Sequence, residues 1–486
     1  MLKLKNLKKW LPFLFGIILF RLFYSFNPFN VNPEAVNVLA IGVLMITWWV
    51  TEALPMPVVA MVPFVLFPIM KVAGIKETAT PYADPIIFLF MGGFMIGLAI
   101  EKWNLHKRIA LSIVNKTGTS GNRIVLGFIL ATGFLSMWLS NTATTMMMFP
   151  IAASVIHVVK ENHKGNGNTH AFAAAIMLAI AYASNFGGIA TIIGTPPNVA
   201  FVAFIEKKYN YTPQFADWML ICTPLSLLLL ISLYFVLVKW LLPNNIQSDA
   251  ATKALIKEEL RQLGPLSKAE KRVLVVFICT ALLWITKDLI NTSGIIKLDD
   301  TIIALLGGIS LFAIPSGKTT DEKTEHLLEW KDTSKMAWGI LLLFGGGLTL
   351  AAALEKAGLI AQLGSWIANY AGNSLLLLIF LTAFISLFVS ELMSNVAQVI
   401  VFAPVMGGIA DALGINPLLL GLPMTLAASC ASMMPMGTPP NAIVFASGYL
   451  KLKDMLKAGF VMNIIAVLLI TLFSYYLIPV LMSAIK

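Results

Sequence analysis

The chain has 486 residues, 58% of them hydrophobic and only 12% charged, with a mean hydropathy of +0.83. A soluble protein of this length carries roughly twice that charged fraction, so the composition excludes a soluble fold and indicates a polytopic protein of the lipid bilayer. The net charge of +10 does not indicate a nucleic-acid partner, because the basic residues fall in short clusters between apolar runs, as the positive-inside rule requires.

Lys3, Lys5, Lys8 and Lys9 precede an apolar run that starts at Trp10, and no small-residue cleavage site follows. This predicts an uncleaved helix over 10–26 within an N-terminal membrane unit, 1–34, with the N-terminus cytoplasmic. The chain leaves it at Phe26-Asn27-Pro28-Phe29-Asn30 and returns over 35–50. That second span ends at Trp48-Trp49, which read as interfacial anchors. Further spans are predicted over 56–73 and 85–101, the latter meeting Lys102, His106, Lys107 and Arg108.

Residues 123–158 have basic flanks at both ends: Lys116 and Arg123 before, Lys160, His163 and Lys164 after. Both ends are therefore cytoplasmic, which predicts a re-entrant hairpin with Ser140-Asn141-Thr142 at its tip. Irregular backbone at membrane depth is tolerated only against protein or a water-filled cavity, so the tip belongs to a site. His157, on the return arm, reads as a satisfied core histidine. Residues 170–206 are interrupted by Asn185-Phe186-Gly187-Gly188 and by Gly194-Thr195-Pro196-Pro197-Asn198. Paired prolines remove donors and disfavour helix before them, which predicts a broken helix. A span over 218–240 closes the first repeat, 35–240, and a polar cytoplasmic linker follows over 241–272.

The second repeat, 273–486, runs the same scheme upside down. Spans are expected over 273–290, 300–314 and 337–354, then a hairpin over 374–408 with Ser394-Asn395-Val396 at its tip. A broken helix over 417–450 carries Gly437-Thr438-Pro439-Pro440-Asn441, and a last span over 459–482 leaves the C-terminus extracytoplasmic. The fold class is thus all-α and polytopic, with about eleven transmembrane helices and two re-entrant hairpins. Inverted repeats with broken helices are the architecture of a secondary transporter. No nucleotide-binding loop or metal motif occurs, and neither tip pairs a serine with a histidine or lysine base, so no enzyme is indicated. Cys222, Cys279 and Cys430 stand singly in apolar surroundings and read as buried small hydrophobes.

Helix breaks expose backbone groups without intrahelical partners. N-terminal half-helix ends attract anions, while C-terminal ends and unwound turns offer carbonyls to a hard cation. No Lys, Arg, Asp or Glu lies in either tip or either Gly-Thr-Pro-Pro-Asn turn, and Glu391 is the nearest exception. An anionic substrate here would be held by neutral donors, with bound cations offsetting its charge.

Ser-Asn-Thr with its Ser-Asn-Val partner, the paired Thr-Pro-Pro turns and Trp-Trp-Val-Thr-Glu-Ala-Leu-Pro at 48–55 resemble the divalent anion/sodium symporter family, including the INDY-type di- and tricarboxylate transporters. The resemblance implies a homodimer in which a scaffold domain supports a mobile transport domain that moves like an elevator. It implies succinate, malate, fumarate or 2-oxoglutarate as substrate, or else citrate or sulfate, moved by sodium symport or by exchange. Carried over by position, one substrate carboxylate meets Asn141 and Thr142 and the other meets Asn395 and Val396, with Thr195, Pro196, Thr438 and Pro439 shaping the unwound loops. Ser136, Ser140, Asn141 and Gly194 would form one Na+ site, and Ser390, Asn395 and Gly437 a second; no other cofactor is implied. Val396 departs from the family threonine and removes a donor worth on the order of 1.5–3 kcal/mol toward a charged group. The alternative from another class is an anion channel that uses the hairpins as a filter.

Overall fold

A backbone polar group in hydrocarbon must find its partner inside the chain, and the apolar runs of this sequence meet that demand as helices. The structure, a computed structural model, describes residues 2–27, 31–162, 168–247, 250–292, 294, 296–320, 323–368 and 374–484. Residues 28–30 of the predicted first turn, and His163 and Lys164 of the predicted basic loop, lie outside the described residues.

The first half comprises α1 (Leu2–Phe26), α2 (Pro33–Val50), α3 (Met56–Val59), α4 (Val62–Ile69), α5 (Ile75–Ala79), α6 (Pro85–Lys102) and α7 (Leu105–Thr117). It continues through α8 (Gly121–Ser136), α9 (Asn141–Asn162), α10 (Thr169–Gly188), α11 (Pro196–Tyr209) and α12 (Phe215–Phe235). After α13 (Ala250–Gln262) the second half comprises α14 (Lys268–Thr292), α15 (Asp300–Ala313), a hairpin of β1 (Pro315–Thr320) and β2 (Lys323–His326), α16 (Trp338–Lys356) and α17 (Leu359–Ala368). It ends with α18 (Leu375–Ser390), α19 (Asn395–Leu413), α20 (Leu418–Ala428), α21 (Pro439–Ala446) and α22 (Leu452–Ala484). Nine helices among the described residues are long and apolar enough to cross a membrane, and six shorter apolar helices of 10–17 residues accompany them.

Local chemistry sets the helix starts. Asn32 caps α2 by accepting from Ala35 N at 2.7 Å, with Pro33 at the first helical position, where its missing N–H costs nothing. Asp84 and Asp299 cap α6 and α15 in the same way. The series α6–α12 and α16–α22 correspond element for element. Asn104 between α6 and α7 and Gly358 between α16 and α17 both take a left-handed turn (φ 56° and 72°), a conformation reserved for Gly and Asn.

Several elements differ from expectation. The predicted span over 56–73 is broken into α3 and α4 just before Pro63, whose missing N–H cannot bond back to α3. The basic stretch after α6 is itself the helix α7, and its counterpart is α17. The linker contains α13, which packs on α7 and α9. Trp48 and Trp49 are not interfacial: both are buried, Trp48 donating to Phe13 O at 3.1 Å and Trp49 to Met56 O at 3.3 Å. They pin α1 and the α3 turn against α2. His157 is exposed and pairs with Glu161 one turn on at 3.1 Å, so it is no core histidine. Cys222 and Cys430 are buried as expected, whereas Cys279 is exposed.

The halves are joined by α6 packing on α15 and, among other contacts, by two matching cross-connections. The half-helix α11 packs on α19 and α20, and α21 packs on α9 and α10, so each repeat seats its broken helix on the other's hairpin arms. At the centre α10 is buried from Ala171 to Gly188, as its all-round apolar and small-residue composition demands. It approaches α8 so closely that a Cβ at Gly187 would collide with the Gly133 backbone. Overpacking such a contact costs about 1–3 kcal/mol. Gly187→Ala is expected to lower the melting temperature of the purified protein by several degrees, and an unchanged thermal-shift curve would refute this contact.

Candidate functional site

Both hairpins break at the same chemical point. Helix α8 ends at Ser136 and α9 begins at Asn141; α18 ends at Ser390 and α19 begins at Asn395. Across each break the serine Oγ lies 2.7 Å from the asparagine Oδ1, Ser136 to Asn141 and Ser390 to Asn395. Both serines are completely buried. The breaks therefore keep one geometry in two halves that share little other sequence.

Around Asn141 the environment is almost all oxygen. One terminal atom of its carboxamide lies 2.7 Å from Ser136 Oγ, 3.0 Å from Ser184 O and 3.3 Å from Gly194 O. With nitrogen in that place the amide donates to all three. With oxygen there, four oxygens converge, and the group becomes an acceptor cluster of the kind that suits a hard cation. Gly194 makes room for it: a Cβ at that residue would collide with Gly188 O and stand 2.9 Å from Ser136 O. Ser140 lies beside the cluster but is engaged elsewhere, its Oγ accepting from Ala143 N at 3.3 Å as a cap on α9.

The Gly-Thr-Pro-Pro-Asn turns also repeat their geometry. Asn198 Nδ2 donates to Thr191 O at 2.8 Å and to Gly188 O at 3.4 Å. Asn441 Nδ2 donates to Met434 O at 3.1 Å and to Ala431 O at 3.3 Å, at the same separations along the chain. Each asparagine thus ties off carbonyls that the broken helix leaves open. The side-chain oxygens of both are buried without a donor among the described residues. Pro196 and Pro439 start α11 and α21. Thr195 is buried at its cap position without a side-chain cap bond, whereas Thr438 accepts from Asn441 N at 3.3 Å.

Asn185 joins the two halves: Asn141 Nδ2 lies 3.4 Å from Asn185 Oδ1, and Asn185 Nδ2 donates to Thr438 Oγ1 at 3.1 Å. The structure therefore brings Ser136, Asn141, Gly194 and Thr438 into one network. It does not join Asn395 to Asn141 by a hydrogen bond. Thr142 and Val396 are half-buried one residue into α9 and α19. Gly437 faces Glu391 rather than Asn395, a Cβ there standing 2.7 Å from Glu391 Oε2.

The halves differ most at that glutamate. In the first half Thr191 Oγ1 donates to Met137 O at 2.5 Å and accepts from Gly194 N at 3.0 Å, a neutral clasp. In the second, Glu391 stands where Met137 stands. Its carboxylate accepts from Ser432 N (2.8 Å), Met433 N (2.7 Å), Met434 N (2.7 Å) and Asn463 Nδ2 (2.6 Å). Successive N–H groups of the α20–α21 break form the nest for this buried acid. The sequence had marked Glu391 only as an exception near the tip, and Ser184, Thr191 and Asn463 carried no signal of their own.

The chain matches the family described as the sodium:sulfate symporter transmembrane region over residues 7–484. The chain belongs to this symporter family. It is 37% identical over 481 residues to a sodium-dependent dicarboxylate transporter, SdcS, of Staphylococcus saprophyticus, covering 98% of this chain and 92% of the relative. The Staphylococcus aureus SdcS is also 37% identical, over 490 residues, with 98% and 94% covered. Among solved structures, the fold resembles that of the Neisseria gonorrhoeae MtrF efflux pump, with a TM-score of 0.55 at 14% identity over 86% of this chain and 84% of that one. It also resembles the Alcanivorax borkumensis YdaH transporter, with a TM-score of 0.50 at 17% identity over 82% and 86%. This symporter-family chain is accordingly a multi-pass membrane transporter.

Losing either turn asparagine frees two buried carbonyls, and an unsatisfied buried polar group costs about 1–3 kcal/mol. Asn198→Ala and Asn441→Ala are expected to destabilise the purified protein to a similar degree, read as matched drops in melting temperature. A large drop in one variant alone would break the symmetry assigned to the two turns.

Proposed function

We propose that this chain is a secondary active transporter of C4 and C5 dicarboxylates, driven by sodium symport. The observation that carries the reading is the duplicated serine–asparagine bridge at 2.7 Å across two helix breaks, in a site whose tips hold no Lys or Arg. A dianion in such a site relies on amide and hydroxyl donors and on the positive ends of α9 and α19. Its charge requires a counter-charge, and the oxygen cluster at Ser136, Asn141 and Gly194 is suited to Na+. The names of the Staphylococcus relatives agree with this substrate and ion.

In this reading Asn141 and Thr142 meet one carboxylate, and Asn395 and Val396 the other. Ser136, Ser140, Asn141 and Gly194 serve one Na+, and Ser390, Asn395 and Gly437 a second. Two inverted repeats, 35–240 and 273–486, surround the site, with hairpins 123–158 and 374–408 re-entering the membrane. The protein works as a homodimer in the cytoplasmic membrane, N-terminus inside and C-terminus outside, and its transport domain rides as an elevator between the faces.

Removing one hydrogen bond to a charged group costs about 1.5–3 kcal/mol. Asn141→Ala and Asn395→Ala are therefore each expected to lower kcat/KM for labelled succinate by tenfold or more in proteoliposomes. Parental rates in both variants, on folded protein, would sink the site assignment. Ser136→Ala should raise the half-saturating sodium concentration more than it changes the succinate KM.

The coupling is read by uptake with or without a sodium gradient, crossed with internal dicarboxylate or none. Sodium alone is expected to suffice. Uptake that needs internal dicarboxylate and ignores sodium would make the protein an exchanger, and succinate-insensitive uptake of citrate or sulfate would move it to another substrate class. Currents without coupling would make it a channel. Val396→Thr, which restores the missing donor, is expected to lower the KM for the preferred dicarboxylate.

A further inference from the structure

The site lacks a fixed cation, but the cleft that leads to it does not. A cleft lies between α6 and the first tip, lined by Gly93, Gly97, Trp138 and Ser140, and its exposed residues include Glu101 and Lys335. The two glycines leave it room, since a Cβ at Gly97 would already stand 3.3 Å from Leu139 and one at Gly93 3.4 Å from Ile193. In the second half the crevice among α11, α16 and α19 is lined by apolar residues throughout, and a Cβ at Gly347 would stand 2.5 Å from Ile400 Cγ2. Ser140 and Lys335, by contrast, line one cleft.

Lys335 closes the turn Trp330–Lys335, and that turn is firmly held. Glu329 and Asp332 cap each other's backbone, and Lys102 Nζ reaches Asp332 at 2.8 Å and Glu325 at 3.3 Å. Trp103 Nε1 donates to Leu327 O at 2.8 Å. Lys331 is spent on Glu329 at 2.6 Å. Lys335 makes no ion pair among the described residues, and it is the cation that lines the cleft. Glu101, also without an ion pair among the described residues, lines the same cleft.

We propose that Lys335 forms an outer subsite for one carboxylate of the dicarboxylate, from which the substrate passes to the tip at Ser140–Thr142. The proposal rests on the dicarboxylate reading above. An exposed cation of this kind concentrates the anion at the cleft mouth and takes no part in the inner site. Glu101 sets the ceiling on that attraction by repelling the same ligand. The subsite serves one face only, the one bearing Lys331 and Lys335, which is cytoplasmic by the positive-inside rule.

The test is the concentration dependence of labelled succinate transport at each face of proteoliposomes with determined protein orientation, using the full chain. An exposed charge pair changes affinity by about two- to fivefold. Lys335→Gln is expected to raise KM by that factor at the Lys335 face, and Lys335→Glu by more. Vmax, the sodium dependence and the KM at the opposite face should stay parental. Glu101→Gln is expected to lower KM at the same face, and the double variant to fall between, a pattern that a merely structural role would not give. Parental KM in both Lys335 variants, or equal rises at both faces, would overturn the subsite. If the parental protein carries sulfate and no dicarboxylate, the dicarboxylate reading fails and the carboxylate subsite with it. Parental succinate transport with unaltered Lys335 variants removes the subsite alone.

Discussion

The fold depends on one constraint: backbone groups at membrane depth must be bonded inside the protein or be used by a ligand. Most of the chain satisfies it with helices. At four places the helix stops, and at each the structure supplies replacements by name. Asn198 and Asn441 tie off carbonyls of the two turns, Thr191 clasps the first hairpin, and Glu391 of the second hairpin gathers three consecutive N–H groups of the α20–α21 break. What remains unpaired among the described residues includes the buried Oδ1 atoms of Asn198 and Asn441, but also the Trp138 N–H and hydroxyls such as those of Thr144 and Ser429. The open groups at the breaks thus include donors as well as acceptors.

Much of this was legible because the sequence is written twice. A lone Ser-Asn would mean nothing, but Ser136 with Asn141 and Ser390 with Asn395 recur at one spacing, and their bridges have one length. The Thr-Pro-Pro turns could be read as breaks because proline acts locally, through a missing donor and a blocked preceding residue. Other features escaped because they depend on partners far along the chain. Trp48 and Trp49 looked interfacial by composition, yet α1 and the α3 turn cover them. His157 looked buried from its apolar neighbours, but it faces outward on α9. The break in 56–73 could have been foreseen from Pro63, whereas α7 and α17 are amphipathic and too short to register as spans.

Repetition in sequence did not enforce repetition in energy. The hairpin of the first half is clasped by a hydroxyl and a carbonyl, which carry no net charge. That of the second is clasped by a carboxylate buried to 2% exposure. A buried acid without a cation beside it is costly unless its oxygens are fully hydrogen-bonded, and four donors meet that need here. The two breaks therefore have unequal electrostatics despite their equal geometry, and Val396 opposite Thr142 adds a second inequality at the tips. An inverted repeat of this kind offers a substrate two distinguishable ends.

The absence of fixed cations at the tips has its own physical logic. A site that must face water on one side and then the other spends part of each cycle enclosed in low dielectric, where a net charge is penalised by several kcal/mol. An arginine built into the tip would leave that charge exposed to the penalty whenever the substrate was missing. Neutral amides avoid it, since the empty tips carry no charge and the filled ones can be neutral when cations accompany the dianion. Partly filled states, with anion alone or cation alone, are the charged ones and the least able to move. In the sodium symport proposed above, coupling then follows from electrostatics without a dedicated latch, and a fixed cation such as Lys335 can serve only where water still reaches it.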